Sequence, residues 1–203
     1  MKTFKDLEAL SALIEELRRI PGIPFRNITR IAISLLRRQT AEIDRLCQLL
    51  SVAHQKTKPC KICFMLTEQE TCYFCQDPTR NKSQICVVAS WLEFFIIKEA
   101  VSDYRGVFHV LGGVISPLGG VGPADLSINL LLNRIANDGA SELLFALSPT
   151  PEGEATASYI QSLLPKDAKI SIFKIASGVP VGSNLEYADR STLAQAFTEK
   201  KLV

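Results

Sequence analysis

Apolar residues recur at Leu7, Leu10, Ile14 and Leu17, a three- and four-residue spacing that lines one face of an α-helix. The pattern stops before Pro21-Gly22, which predicts a helix end there. Ile28, Ile31, Ala32 and Leu35 repeat the spacing and predict a second helix, with Asn27 as its N-cap. A third helical run covers about 41–53. From Ile85 the texture changes. "ICVVA" predicts a short strand, and "SWLEFFIIKEAV" a helix opened by the Ser90/Glu93 capping-box pattern. "VFHVL" predicts another strand. After a glycine-rich loop come a helix over 125–137, a strand over 142–147, a helix over 154–164 and a strand at "KISIFKI". The tail "GVPVGSNLEYADRSTLAQAFTEKK" ends in a last helix. Strands alternating with helices imply a mainly parallel sheet covered on both faces, so the chain reads as a multidomain α/β protein with a helical front end. There is no internal repeat and no low-complexity segment.

Composition leaves that picture intact. The chain has 203 residues, 47% hydrophobic and 22% charged, enough to build a packed core. No run of about 18 apolar residues exists, so no membrane span is expected. The start, Met1 to Asp6, has neither the apolar region nor the cleavage site of a signal peptide. Charge is uneven although the net is only +2: residues 1–59 carry a Lys/Arg surplus, 60–84 balance, and 85–203 are mildly acidic. A basic front and an acidic back suit two surfaces with different partners, but ordinary surface charge gives the same totals.

Four of the six cysteines cluster as Cys60-x2-Cys63-x8-Cys72-x2-Cys75. Each CxxC turn aims two thiolates at one point, and two such turns supply the tetrahedral set that zinc prefers. With sulfur at all four positions no site is left for water, so the expected zinc is structural and supplies folding energy to a loop too small to fold alone. A redox CxxC is the weaker alternative. Without a secretion signal, a reducing cytoplasm and a metal site outrank disulfides. Cys47 and Cys86 read as buried small apolar residues.

The first two predicted helices are joined by a Pro-Gly turn with arginines beside it. Backbone N–H groups at the turn and the start of the second helix can face a phosphate. Arg26 stands at the mouth of that helix; Arg30 and Arg37 lie on the side opposite the apolar stripe. Such contacts would hold DNA without reading its sequence. A solvated arginine face on a packing helix pair is an equal alternative.

Three pieces stand in one order: "LRRIPGIPFRNITRIA", the four-cysteine knuckle, and "HVLGGVISPLGGVGP…EGEATASYI…GVPVGSNLEYADRSTL". Over essentially the whole chain this resembles the RecR family of bacterial recombination mediators. The resemblance implies a helix-hairpin-helix DNA-binding region at 1–59, a C4 zinc finger at 60–79, a Toprim domain at 80–175 and a C-terminal helical extension at 176–203. It also implies a ring-forming homo-oligomer, a tetramer, that binds single- and double-stranded DNA. With RecO and RecF it would load recombinase onto gapped single-stranded DNA in the cytoplasm. One departure lies in the hairpin: where the family reads Pro-Gly-Ile-Gly-Pro-Lys, this chain has Pro24-Phe25-Arg26 after Pro21-Gly22-Ile23. Proline removes an N–H, while Arg26 keeps the basic charge.

The resemblance also bears on catalysis. Active Toprim enzymes hold Mg²⁺ with a glutamate ending the first strand and a D-x-D pair after a later one. The matching positions here are Ala89, Ser148 and Thr150; only Glu152 and Glu154 remain. The expectation is a protein without nicking, strand-transfer or primer-synthesis activity, whose Glu152 and Glu154 meet a basic partner such as RecO. A Toprim phosphotransfer enzyme with a rearranged metal site is the alternative. "LGGVISPLGGVGP" lacks Gly-Lys-Ser/Thr and is no Walker A cradle; it reads as a flexible interface loop. His109, inside an apolar strand, reads as a satisfied core histidine, and His54 has no evident catalytic partners. Leu185 to Asp189 reads as structural.

Overall fold

The computed structural model describes residues 7–165, 169–176, 178–179, 182 and 184–198. The Met1 to Asp6 stretch and parts of the tail signature (Pro180, Val181, Ser183 and 199–201), both used above, lie outside the described residues. The chain divides into two compact units, 1–56 and 57–203.

In the first unit, α1 (Glu8–Arg18) and α2 (Phe25–Leu36) pack through Ile14, Ile28 and Ala32, with Leu10, Leu13, Leu17 and Ile23 around them. The connecting turn needs Gly22, whose φ of +80° is the left-handed region that a Cβ disfavours. Helix α2 starts two residues before the expected N-cap. Its cap is Pro24, whose carbonyl accepts from Asn27 N (2.8 Å) and Ile28 N (3.2 Å), so Asn27 lies inside the helix. The third helix, α3 (Thr40–Lys56), buries none of its residues, and Leu49 and Leu50 are exposed. Cys47 is exposed on it rather than buried, because among the described residues nothing buries any residue of this helix.

The second unit opens with a two-residue hairpin, β1 (Lys58–Pro59) against β2 (Leu66–Thr67), and the short helix α4 (Tyr73–Gln76). Then follow β3 (Asn81–Val88), α5 (Trp91–Ala100), β4 (Gly106–Val110), α6 (Ile128–Asp138), β5 (Glu142–Ala146), α7 (Pro151–Leu163), β6 (Ser171–Lys174) and α8 (Arg190–Thr198). The last four strands form one parallel sheet in the order β4-β3-β5-β6. Side chains alternate across it with the period of two that strands impose. Ile85, Val87, Val107, Leu143 and Phe145 pack with Ile128, Leu131 and Ile135 of α6 and Ala157 and Ile160 of α7. Cys86, Val88, Phe108, Val110 and Ala146 pack with Phe94 of α5 and with the cysteine knuckle. Both faces are covered, as expected, although one cover is partly the knuckle.

The chain steps from β3 to β4 on one side and then crosses back to β5 on the other. The point where strand order reverses therefore lies at the carboxyl ends of β3 and β5, a place where parallel α/β sheets open a crevice. Ala89 and Ser148 follow those two ends. The glycine-rich loop is cross-braced rather than slack: Ser116 and Val121 bridge in both directions at 2.9 Å, and Ile115 N donates to Thr156 Oγ1 at 2.9 Å. Among the described residues no helix is long and apolar enough to cross a membrane.

Candidate functional site

The cysteine knuckle is built by local backbone bonds. Phe64 N donates to Cys60 O (3.0 Å) and Cys60 N to Met65 O (2.7 Å), closing the first turn, with Phe64 at φ +61°. Cys72 caps α4, so Cys75 returns one turn later on the same side. The four Sγ atoms lie within 4.8 Å of one another, and all four residues are buried. Cys63 and Cys72 sulfurs are 3.4 Å apart. A tetrahedral zinc with bonds near 2.3 Å separates its sulfurs by just under about 4 Å, so this donor set fits. Cys72 N (3.3 Å) and Ile62 N (3.5 Å) both donate to Cys60 Sγ, the bonds a thiolate accepts when it ligates metal. Among the described residues no other group of three or more Cys, His, Asp or Glu ligand atoms could share an ion.

The knuckle joins the sheet. Val110 N of β4 donates to Cys63 O (2.9 Å), and Trp91 Nε1 of α5 donates to Phe64 O (2.9 Å). Phe74 meets Phe94 edge-on at 5.1 Å, and the Arg80 guanidinium lies 4.5 Å over the Phe74 ring.

At the crevice, a cleft of about 790 Å³ runs between α5, the ends of β5 and β6, α7 and α8. Glu93, Ser148, Glu154, Lys174 and Thr192 bring polar groups to it. Glu93 is the residue that sequence reasoning undervalued. It closes the expected capping box, taking Ala89 N (2.8 Å) and Ser90 N (3.0 Å) on Oε2. Its Oε1 also accepts from Ser148 Oγ at 3.3 Å, across 55 positions of sequence. Thr150 caps α7, its hydroxyl accepting from Gly153 N at 3.2 Å. Glu154 pairs with Lys174, and both are about half exposed. Glu152 is partly buried at the start of α7.

In the first unit, Arg26, Arg30 and Arg37 are all exposed, Arg37 at the C-cap of α2. Neighbouring Arg18 and Arg19 pair with Glu15 and Glu16, each at 3.2 Å. Among the described residues no ion pair is formed by Arg26, Arg30 or Arg37. Among the described residues no side chain caps the first turn of α2, which leaves N–H groups there for an anion.

Comparison with known proteins places these features. Residues 57–77 match the family model of the RecR four-cysteine zinc finger domain, 83–176 the "Toprim domain" model and 178–201 the "RecR, C-terminal" model. The chain is 45% identical to the Recombination protein RecR of Treponema denticola over 94% of this chain and 97% of that one. It is 44% identical to the RecR of Clavibacter michiganensis, over 94% and 95% respectively. The RecR of Rippkaea orientalis is 41% identical, over 95% and 96%. The chain belongs to the RecR family. Its knuckle is the RecR four-cysteine zinc finger, and the buried four-sulfur set is suited to a structural zinc. The family order of zinc finger, Toprim domain and RecR C-terminal segment is the order that the structure builds along the second unit.

Toprim position matters for chemistry. Where the Toprim resemblance expects a glutamate, Ala89 has no carboxylate, and Glu93 reaches the same strand end from one helical turn away. That carboxylate already accepts two backbone N–H groups and a hydroxyl. His109 is fully buried and only half satisfied. Its Nε2 meets Ser127 Oγ at 2.9 Å, while Nδ1 has no partner among the described residues. Ser127 Oγ itself donates to Val110 O at 2.6 Å, so Nε2 carries the proton and Nδ1 is the bare acceptor. Burial, reinforced by the nearby Arg134 charge, lowers its pKa to about 3.

Proposed function

We propose that this chain is a non-enzymatic, DNA-binding mediator of recombinational repair that acts with RecO and RecF to load recombinase onto gapped single-stranded DNA. It works in the cytoplasm as a ring-forming homo-oligomer, a tetramer. The division of labour follows the boundaries read from sequence: DNA binding in 1–59, a zinc finger in 60–79, a Toprim domain in 80–175 and a C-terminal extension in 176–203. The carrying observation is the state of the Toprim crevice. Ser148 and Thr150 offer neutral hydroxyls already engaged with Glu93 and with the α7 cap. Glu154 is matched by Lys174. Mg²⁺ holds its water tightly and needs several free oxygen anions, which this arrangement does not present. Arg26, Arg30 and Arg37, exposed beside an uncapped helix start, support phosphate contact without base reading. Exposed Leu49 and Leu50 on α3 support assembly of copies, and several copies together would multiply weak arginine contacts. Glu152 and Glu154 would meet a basic partner such as RecO, with Lys174 released from Glu154 on docking.

The test is a DNA-binding titration over a salt series, run beside a nicking assay with Mg²⁺ or Mn²⁺. Arg26→Ala with Arg30→Ala should weaken binding and flatten the salt dependence by about one unit of log–log slope per lost phosphate contact. An unchanged slope would move the DNA site elsewhere. Metal-dependent nicking that disappears in Glu152→Ala would replace the mediator reading with phosphotransfer.

A further inference from the structure

A zinc ion with four thiolates carries two net negative charges, and here the set is enclosed by Phe74, Phe94, Phe108 and Val110. Enclosing charge without compensation is costly. Cys60 Sγ is compensated by two backbone N–H donors from within the knuckle. Cys75 Sγ is met instead from far along the chain by Arg134 of α6, whose Nη2 lies 4.0 Å away. The arginine is itself enclosed, with 4% of its side chain exposed. It cannot shed its proton, so its charge has to be matched where it sits. Asp138 supplies one carboxylate, at 3.2 Å from Nε. Phe108 O takes Nη1 at 2.7 Å but carries no net charge. The remaining direction of the fork points at the sulfur cluster.

We propose that Arg134 is part of the zinc centre: its buried guanidinium holds the Cys75 thiolate, offsets the charge of the four-sulfur set and slows zinc release. The dependence is mutual. The thiolates lose their cation if Arg134 is neutralised, and Arg134 loses part of its counter-charge when the metal leaves and the thiols take up protons. The fork geometry is needed, because one planar group serves Phe108 O, Asp138 and Cys75 together. A lysine could reach only part of this set.

The experiment compares full-length, zinc-loaded wild type with Arg134→Gln, Arg134→Lys and Asp138→Asn. Zinc transfer to a chromogenic chelator gives the release rate. Cobalt substitution gives the thiolate-to-metal charge-transfer band. Arg134→Gln should release zinc about 10–100 times faster, the range seen when a group supporting a metal ligand is removed. Arg134→Lys should release it severalfold faster with a shifted cobalt band. Asp138→Asn keeps an oxygen facing Nε and leaves Arg134 in place to reach Cys75, so it should release zinc more slowly than Arg134→Gln. A folded Arg134→Gln with a wild-type release rate would overturn the proposal. Should Arg134→Gln not fold, an unshifted band and unchanged release in Arg134→Lys would do the same. So would Asp138→Asn releasing zinc as fast as the arginine variants, because Arg134 would then act only by packing the helix.

Discussion

Gly153→Ala separates what local propensity says from what the packed structure says. Gly153 is the third residue of α7, and alanine there gains at most about 1 kcal/mol as a helix former. On sequence grounds the substitution stabilises. In the structure, the first turn of α7 is pressed onto the end of β5. A Cβ on Gly153 would sit 3.3 Å from the Ser148 carbonyl carbon and far inside contact distance of its oxygen. The overlap exceeds about 1 Å, measured against the 3.5–4.0 Å at which nonbonded atoms attract. The obstacle is backbone, fixed by Thr150 N donating to Ser148 O at 2.8 Å, so no side chain can swing aside. Overpacking of this kind costs about 1–3 kcal/mol, and the rigid partner argues for the upper end. After the propensity gain the net loss is about 2 kcal/mol. For a chain of this size each kcal/mol moves the midpoint by about 2–4 °C. Thermal unfolding of zinc-saturated protein should therefore shift down by about 4–8 °C, with faster amide exchange confined to the start of α7. A midpoint equal to or above wild type would refute the close-approach reasoning, and with it the geometry assigned to Ser148 and Thr150.

The remaining expectations concern two buried groups. His109 has its folded pKa lowered to about 3 from an ordinary 6.5, so the unfolded chain binds the extra proton first as pH falls. Stability is then complete above about pH 6.5 and declines toward pH 3, by roughly 3 kcal/mol at pH 4. Urea unfolding of wild type and His109→Gln across that window should show a shallower decline in the variant, and parallel curves would remove His109 from the acid response. Burial pushes the Cys86 thiol up to about 12, so almost none is thiolate at pH 8. Mass mapping after treatment with an aromatic disulfide should find Cys86 unlabelled in native, zinc-loaded protein; labelling ahead of unfolding would contradict its place in the core.

Much of this architecture is legible in the chain because it rests on local rules. The CxxC spacings, the Ser90/Glu93 capping box and the alternation of strands with helices each depend on residues a few positions apart, and each stands in the structure. The misreadings have physical causes too. Asn27 is a good capping residue, but Pro24 already presents its carbonyl to the two N–H groups that start the helix. Cys47 sits among leucines in sequence, yet among the described residues the helix carrying them buries none of its side chains. His109 could be placed in a core, but not its unpaired nitrogen, since Ser127 comes from another element. Glu93 bonding to Ser148 and Arg134 to Cys75 join positions 55 and 59 residues apart. No periodicity encodes such pairs; only the sheet order brings them together.

That sheet order also explains why the zinc finger sits where it does. Among the described residues β4 has a neighbouring strand on one side only. A bare strand edge offers unpaired N–H and C=O groups to any passing chain. Here the open side is answered group by group: Arg80 Nη1 donates to Gly106 O (2.9 Å), Arg134 Nη1 to Phe108 O (2.7 Å), and Val110 N donates to Cys63 O (2.9 Å). Two of these three depend on the knuckle. Cys63 belongs to the four-cysteine set suited to zinc, and Arg134 Nη2 lies 4.0 Å from Cys75 Sγ of the same set. Metal loss would therefore do more than unfold a small loop. It would free the backbone of an apolar edge strand and leave a buried arginine short of counter-charge, two conditions that favour association of exposed edges. On this view the zinc finger is part of the edge cover of the Toprim sheet, and zinc removal should leave that edge more open to pairing with other chains.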